Sequence, residues 1–259
     1  MRANYRTRRA SARKISAKED KMKDFYGKKK AITFSYDDGV TQDERLIKLF
    51  DKYGLKCTFN LNSDLLGKPG ELIREGVRVN HTKVAPERVR SVYEGHEVAT
   101  HSLTHPYLTR LTDDEVAREV EEDRIKLSEL VGYEVTGHAY PMGDCDERVA
   151  KVLRERTGVN YARTVISTHN YDLQPNNLHL FNPTVYHHRE MDEMFRLGEE
   201  FLSLKTDDPK LFYIWGHAYE FDIHNDWERF EEFLEMISGR EDIFYGTNKE
   251  CLICHQGVN

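Results

Sequence analysis

The chain of 259 residues has a formal net charge of -7, with 39% hydrophobic and 32% charged residues. This balance is typical of a globular protein, and no run of about 18 apolar residues is present, so we expect no transmembrane segment. The length suits two small domains or one α/β barrel, and a single domain with one large core is the simpler prediction.

The charge is unevenly distributed, because residues 1–30 hold twelve Lys/Arg against three Asp/Glu. We interpret residues 1–29 as a basic, solvated extension and residues 30–259 as the domain. Clustered cations can bind nucleic acid, but solvation explains them more simply, and no nucleic-acid partner is expected. No apolar stretch of 7–15 residues follows the basic one, so the sequence as given predicts a cytoplasmic protein, or a secreted one if a signal was trimmed. It does not predict an oligomeric state.

Short β-branched and aromatic runs recur along the chain and predict seven or eight strands. They lie at residues 31–36, 57–61, 97–100, 138–140, 161–166, 179–181, 211–215 and 243–245.

Segments with helical apolar spacing separate several of these runs. Thr41 and Glu44 predict a capping box for a helix that stops at Gly54, and Thr112 predicts another for a helix that stops at Gly132. Further helices are predicted over residues 149–153, 191–202 and 227–237. Residues 62–92 and 167–180 are rich in turn formers and are interpreted as elaborated connections.

Strands that alternate with helices predict parallel pairing, in either a barrel or an open doubly wound sheet. In a barrel, the chemistry lies at the carboxyl ends of the strands.

Asp37 and Asp38 follow the first predicted strand directly. Two adjacent carboxylates at the end of a buried strand raise each other's pKa unless a cation or proton compensates, which favours a metal or catalytic site. The alternative is a turn whose carboxylates cap the next helix.

His101 and His105 follow the third predicted strand. Imidazoles four residues apart can face one ion, although such a pair is often an ordinary surface or core pair. With the carboxylate pair at the same end of a barrel, two imidazoles and one Asp would leave coordination positions open for water, as catalytic metal sites do.

In their order and spacing, four motifs resemble those of the polysaccharide deacetylase family, which is also called carbohydrate esterase family four and includes chitin, peptidoglycan and nodulation-factor deacetylases. The motifs are Asp37-Asp38-Gly39 after Thr33-Phe34, His101-Ser102-Leu103-Thr104-His105, Tyr140-Pro141-Met142-Gly143, and residues 211–217. The resemblance covers roughly residues 30–250. It implies a distorted α/β barrel of about seven or eight parallel strands.

The resemblance also implies a role for each motif. Asp38, His101 and His105 would bind a divalent metal, Zn²⁺ above all, with Co²⁺, Ni²⁺ or Mn²⁺ compatible with the same ligands. Asp37 would be the general base, and a backbone N–H near Met142 would stabilise the oxyanion. His217 would protonate the leaving amine.

Two sets of neighbours are expected to tune these groups. Ala139 stands where the family often has an Arg that pairs with the base, and Arg163 on the next strand is the candidate replacement. Glu220 and Asp222, just after His217, are candidates to orient that imidazole.

The implied function is removal of acetyl groups from N-acetylated sugars of a glycan, so the expected partner is an acylated carbohydrate. An acetyl-ester or small non-glycan amide hydrolase on the same site is one alternative. A carbohydrate-binding protein that has lost turnover is another. Cys251, Cys254 and His255 match a haem-attachment spacing but lie at the chain end without an evident partner ligand, and no haem is expected.

Overall fold

The computed structural model describes residues 24–253, which hold ten strands and eight helices of α type. The strands are β1 (Lys30–Asp37), β2 (Cys57–Leu61), β3 (Glu71–Arg74), β4 (Val77–Asn80), β5 (Glu97–Thr100), β6 (Gly137–Ala139), β7 (Tyr161–Arg163), β8 (Val185–Tyr186), β9 (Lys210–His217) and β10 (Ile243–Tyr245). The helices are α1 (Asp43–Lys52), α2 (Val89–Val92), α3 (Asp113–Val131), α4 (Glu147–Arg156), α5 (Met191–Ser203), α6 (Phe221–His224), α7 (Trp227–Ile237) and α8 (Asn248–Leu252). None of the helices in residues 24–253 is long and apolar enough to cross a membrane.

Eight of the strands form one curled sheet in the order β7-β6-β5-β2-β1-β9-β8, with β10 paired to the start of β1. All of these pairings are parallel. The segment before β8 hydrogen-bonds to strands near both ends of the sheet. The Phe181 N–H donates to the Ala162 carbonyl in β7, and the Thr184 N–H donates to the Tyr213 carbonyl in β9 at 2.8 Å. The predicted distorted α/β barrel with seven or eight parallel strands is confirmed.

Strand β1 is the centre of the fold, and all eight of its residues are buried. Because successive side chains of a strand point to opposite faces, Phe34 and Tyr36 pack against the helix side while Ser35 and Asp37 face the other way. On that inner side the Asn60 amide donates to both Ser35 Oγ and Asp37 Oδ1, at 2.9 and 2.8 Å. The alternation therefore places Phe34 and Tyr36 in the core between the sheet and the helices, and Ser35 and Asp37 on the inner side near the carboxyl end of the strand.

The β3–β4 hairpin is the main element that the sequence analysis did not predict within residues 62–92. Glu75 and Gly76 form its turn with φ of 52° and 80°, as a two-residue hairpin turn of this hand requires. Arg74, just before the turn, donates hydrogen bonds to the hydroxyls of Tyr186 and Tyr219. These bonds tie the hairpin to the rim of the barrel.

Two local predictions are wrong. Residues 178–180 form a 3-10 turn instead of the strand predicted at 179–181, and the barrel segment there is β8, which begins at Val185. Thr41 does not cap the first helix: the N-cap is Gln42, with no side-chain capping bond, whereas Thr112 forms the predicted capping box with Glu115. Thr41 Oγ1 instead accepts a hydrogen bond from the amide of Asn80 in the hairpin.

At the amino end, most of the predicted basic extension, residues 1–23, lies outside the described residues. Phe25 is fully buried and packs in a cluster with Tyr161 and Phe181, so the compact domain includes residues before Lys30.

Candidate active site

The carboxyl ends of β1, β5, β7 and β9 bring charged side chains to one rim of the barrel, as parallel barrels do at their functional face. They surround a cavity of about 640 Å³. The cavity is lined by Asp37, Asp38, His101, His105, Met142 and His217, together with side chains of the hairpin and of the loop after it. The residues of the four sequence motifs are thus brought together in one place.

Asp38, His101 and His105 form a possible ligand set, since one ligand atom from each lies within 4.8 Å of the others. His101 Nδ1 donates to the Ala139 carbonyl at 2.7 Å, which leaves Nε2 as the lone-pair atom. Burial lowers the pKa of His101 to about 4 and also lowers that of His105, so both imidazoles are neutral near pH 7. Two neutral imidazoles and one carboxylate fit a zinc-type ion.

The backbone around this set is strained. Asp38, Ser102 and His105 have φ of 84°, 62° and 61°, a region that costs residues other than glycine of the order of 1–3 kcal/mol each. The surroundings compensate, because the Asn62 amide donates to the carbonyls of His101 and Ser102. Strain held in place at three positions of one rim is typical of a functional site.

Asp37 is buried and bonded to Arg163, whose Nη2 donates to both carboxylate oxygens at 2.7 and 2.6 Å. Burial alone would raise the pKa of Asp37, but the Arg163 guanidinium, helped by His101 and His217, holds that pKa below its usual value. Ala139 and Arg163 are register partners on neighbouring strands, so their side chains leave the sheet on the same face. Arg163 in β7 thus supplies the cation beside Asp37, in place of an Arg at position 139 in the neighbouring strand β6.

His217 lies beside Asp37 in register, at the end of β9. Its Nδ1 is 3.1 Å from Oε1 of the fully buried Glu220, which also accepts bonds from Tyr186 and the His217 backbone N–H. Burial would lower the pKa of His217, but the Glu220 carboxylate raises it above its usual value. Burial would raise the pKa of Glu220, but His217 beside it lowers that pKa to about 2.

The other two predicted residues lie further from the chemistry. Met142 is in a 3-10 turn at the cavity edge, with φ of 57° and a side chain that is 60% exposed. Asp222 does not contact His217; it accepts hydrogen bonds from Gln42 and Trp227, because α6 turns its side chain away from the cavity. The prediction that Asp222 orients His217 is wrong.

Sequence reasoning missed two basic side chains beside Asp38. Lys83 Nζ lies 3.4 Å from Asp38 Oδ1, and His81 Nε2 lies 3.1 Å from Oδ2. Burial opposes ionisation of Asp38, but the charge of Lys83 and the bond from His81 hold its pKa well below the usual value. Both residues follow the hairpin, and no spacing in the sequence links them to Asp38.

The fold is an α/β barrel whose rim carries a carboxylate–imidazole donor set suited to a divalent metal. Residues 26–162 match the family described as polysaccharide deacetylase, and the chain belongs to that family.

Individual proteins resemble the chain more distantly. The peptidoglycan-N-acetylglucosamine deacetylase PgdA of Listeria monocytogenes is 26% identical over 127 residues, which cover 48% of this chain and 24% of that protein. This chain spans less than half the length of the curated relatives it matches.

Two solved structures share the fold. A family 4 carbohydrate esterase from Streptomyces lividans, in complex with acetate, has a TM-score of 0.51 at 14% identity, covering 85% of this chain and 92% of that one. A pseudoenzyme of the same family from Bacillus anthracis has a TM-score of 0.51 at 15% identity, covering 86% and 66%. The fold is therefore compatible with both active and inactive members.

Proposed function

We propose that the protein is a metal-dependent hydrolase that removes acetyl groups from N-acetylated sugars of a glycan. The observation that carries the proposal is the pairing of each reactive group with a charged partner around one cavity. Asp37 is paired with Arg163, and His217 with Glu220. Asp37 and His217 line the same cavity as Asp38, His101 and His105.

A divalent ion held by Asp38, His101 and His105 would polarise the acyl carbonyl and lower the pKa of a water molecule. Asp37 accepts the proton of the attacking water, and Arg163 keeps that carboxylate ionised and fixes its orientation. The backbone N–H at Met142 donates to the developing oxyanion.

His217 protonates the leaving nitrogen. An amine leaves poorly until it is protonated, so the acid matters more for an amide than for an ester. The Glu220 carboxylate raises the pKa of His217 and so keeps a proton available on the ring.

The side chains of the cavity wall favour a carbohydrate as the substrate. Tyr186 and Trp215 stack with ring centroids 4.3 Å apart, and Ile73 of the hairpin is 66% exposed at the same cavity. An aromatic ring at the cavity wall beside polar groups suits the apolar face of a sugar ring.

The test is acetate release by the purified chain from N-acetylated glucosamine oligomers and peptidoglycan fragments, before and after chelation and again after Zn²⁺ is restored. We expect release that chelation abolishes and the ion restores, and that H101A and D37N lack. H169A, which removes an exposed imidazole outside this cavity, is the control and should match the wild type. Stoichiometric metal with no acetate release from any acetylated amide or ester would favour a carbohydrate-binding protein.

An ester substrate is distinguished in the same assay. If H217A loses turnover of acetylated amides but keeps most turnover of acetylated xylan, His217 is the acid and the amide is the substrate for which the site is built. Equal losses on both would contradict that role.

A further inference from the structure

A second group of metal-type ligands lies at the barrel rim, outside the residues that line the catalytic cavity. Glu75 Oε1 is 3.0 Å from His188 Nε2, and Glu75 Oε2 is 2.9 Å from His224 Nε2. The two imidazole rings stack with centroids 5.3 Å apart. We call Glu75, His188 and His224 the rim cluster.

The rim cluster joins three separate parts of the chain. Glu75 is in the turn of the β3–β4 hairpin, His188 follows β8, and His224 ends α6. The His188 side chain is 2% exposed, whereas those of Glu75 and His224 are 39% and 50% exposed. One buried, fixed ligand and two accessible ones suit an ion that enters from solvent.

The chemistry of the rim cluster matches that of the catalytic donor set: two imidazoles and one carboxylate, with ligand atoms all within 4.8 Å of one another. Ligands of a tetrahedral zinc ion lie about 3.3 Å apart, since the bonds are about 2.0–2.1 Å long. The two nitrogen–oxygen distances are already close to that value. The half-exposed His224 has room to turn its Nε2 toward a shared ion.

The neighbourhood is accessible and includes further carboxylates. His188 and His224 line a cavity of about 600 Å³ that Glu190 and Asp226 also line. Arg229, on the same cavity, is already ion-paired with Asp192. A cation that enters this cavity is therefore close to carboxylate oxygens as well as to the two imidazoles.

The hydrogen bonding of the second ring nitrogen, Nδ1, differs between the histidines of the two sites. His101 Nδ1 donates to the Ala139 carbonyl, whereas Nδ1 of His188 is buried without a hydrogen-bond partner among residues 24–253. Loss of such a supporting bond typically weakens metal binding by about 10–100-fold. The rim cluster should therefore be the weaker site.

From these contacts we infer that Glu75, His188 and His224 bind a second divalent ion of the zinc class, separate from the catalytic site. The ion fastens the hairpin turn to the segment after β8 and to α6. Arg74, adjacent to Glu75, contacts Tyr186, Tyr219 and Glu220, so this fastening also holds one wall of the catalytic cavity.

The experiment measures metal per chain and does not depend on turnover. Chelated full-length protein is dialysed against increasing Zn²⁺, and bound zinc is determined by elemental analysis for the wild type, H101A, H224A, H169A and H255A. We expect H101A to lose the tighter ion and H224A the weaker one, each binding one ion fewer than the wild type. H169A removes an imidazole from the same cavity but outside the cluster, and should match the wild type.

Two results would overturn the inference: H224A that binds as much zinc as the wild type, or a weaker ion that disappears in H255A instead. His255 lies outside the described residues and supplies this second control. Circular dichroism and thermal unfolding of metal-free H224A should match the wild type, because His224 is half exposed. If H224A binds as much zinc as the wild type, the proposed acetate release is not affected. If the protein releases no acetate, the zinc measurement still tests the rim cluster.

Discussion

The Arg163 guanidinium nitrogen Nη2 lies within hydrogen-bonding distance of both carboxylate oxygens of Asp37, at 2.7 and 2.6 Å, with both side chains buried. The pair joins the end of β7 to the end of β1 across the inside of the barrel. It lets a buried carboxylate stay ionised where the proposed reaction needs a base. Breaking it should affect both stability and activity.

We expect Arg163→Ala to lower the free energy of unfolding by about 3–5 kcal/mol, because it leaves a buried charge without its partner. With the cation gone, the pKa of Asp37 rises, so the acid limb of the rate profile shifts to higher pH and kcat/KM at neutral pH falls at least about tenfold. Urea unfolding and pH-rate profiles measure the two effects.

Arg163→Lys keeps the charge and should give a smaller loss of both. The control is Arg156→Ala, which removes an exposed ion pair with Asp114 and should stay within about 0.5 kcal/mol of the wild type. If the acid limb of R163K and R163A coincided with that of the wild type, Arg163 would not be setting the ionisation of the base.

The second prediction concerns the pH range of the proposed acid. Because Glu220 raises the pKa of His217 against the effect of burial, Glu220→Gln should lower that pKa. The protonated imidazole then disappears at lower pH, so the alkaline limb of the amide rate profile shifts downward, with less change for an ester. Asp222→Asn is the matched control, because Asp222 bonds to Gln42 and Trp227; it should leave the alkaline limb in place. An equal shift in both variants would contradict the role of Glu220.

Lys83 should weaken metal binding at the catalytic donor set, because its ammonium lies 3.4 Å from Asp38 Oδ1 and repels a cation there. Lys83→Met should therefore tighten Zn²⁺ binding at least about tenfold, which corresponds to about 1.4 kcal/mol. The affinity is measured by competition with a chromophoric chelator, in the H224A background so that the catalytic site is titrated alone. Lys83→Arg keeps the charge and should bind as the wild type does. Weaker binding by K83M would mean that Lys83 instead positions the carboxylate.

Much of the barrel was predictable because its strands are buried and short. The strands at Cys57–Leu61, Glu97–Thr100 and Ile243–Tyr245 have the predicted bounds, since their apolar runs end at polar or turn residues. The strand predicted at 179–181 failed because an apolar alternation of three residues does not separate a strand from a 3-10 turn. The partner strand there depends on hydrogen bonds to β7 and β9, which are distant in sequence.

In the candidate site, the residues at strand ends were predictable from the sequence, whereas those in loops were not. Asp37, Asp38 and the two imidazoles lie at strand ends, and topology alone brings those ends together. Lys83 and His81 reach Asp38 from the loop after the hairpin, which has no periodic signal. Their approach depends on how that loop folds back, with the Val84 N–H donating to the Gly39 carbonyl at 2.9 Å.

The two threonine capping motifs provide a direct test of local sequence signals. Thr112 Oγ1 accepts from the Glu115 N–H and begins α3, so Thr112→Ala should cost about 1 kcal/mol, within the usual range of about 0.5–2 for loss of an N-cap. Thr41→Ala should cost less than half as much, because Thr41 is not the N-cap of α1 and its hydroxyl bonds to the exposed Asn80. Urea unfolding of both variants at neutral pH gives the comparison. An equal or larger loss in T41A would mean that the bond from Asn80 holds the hairpin to the start of α1 more strongly than its exposure implies.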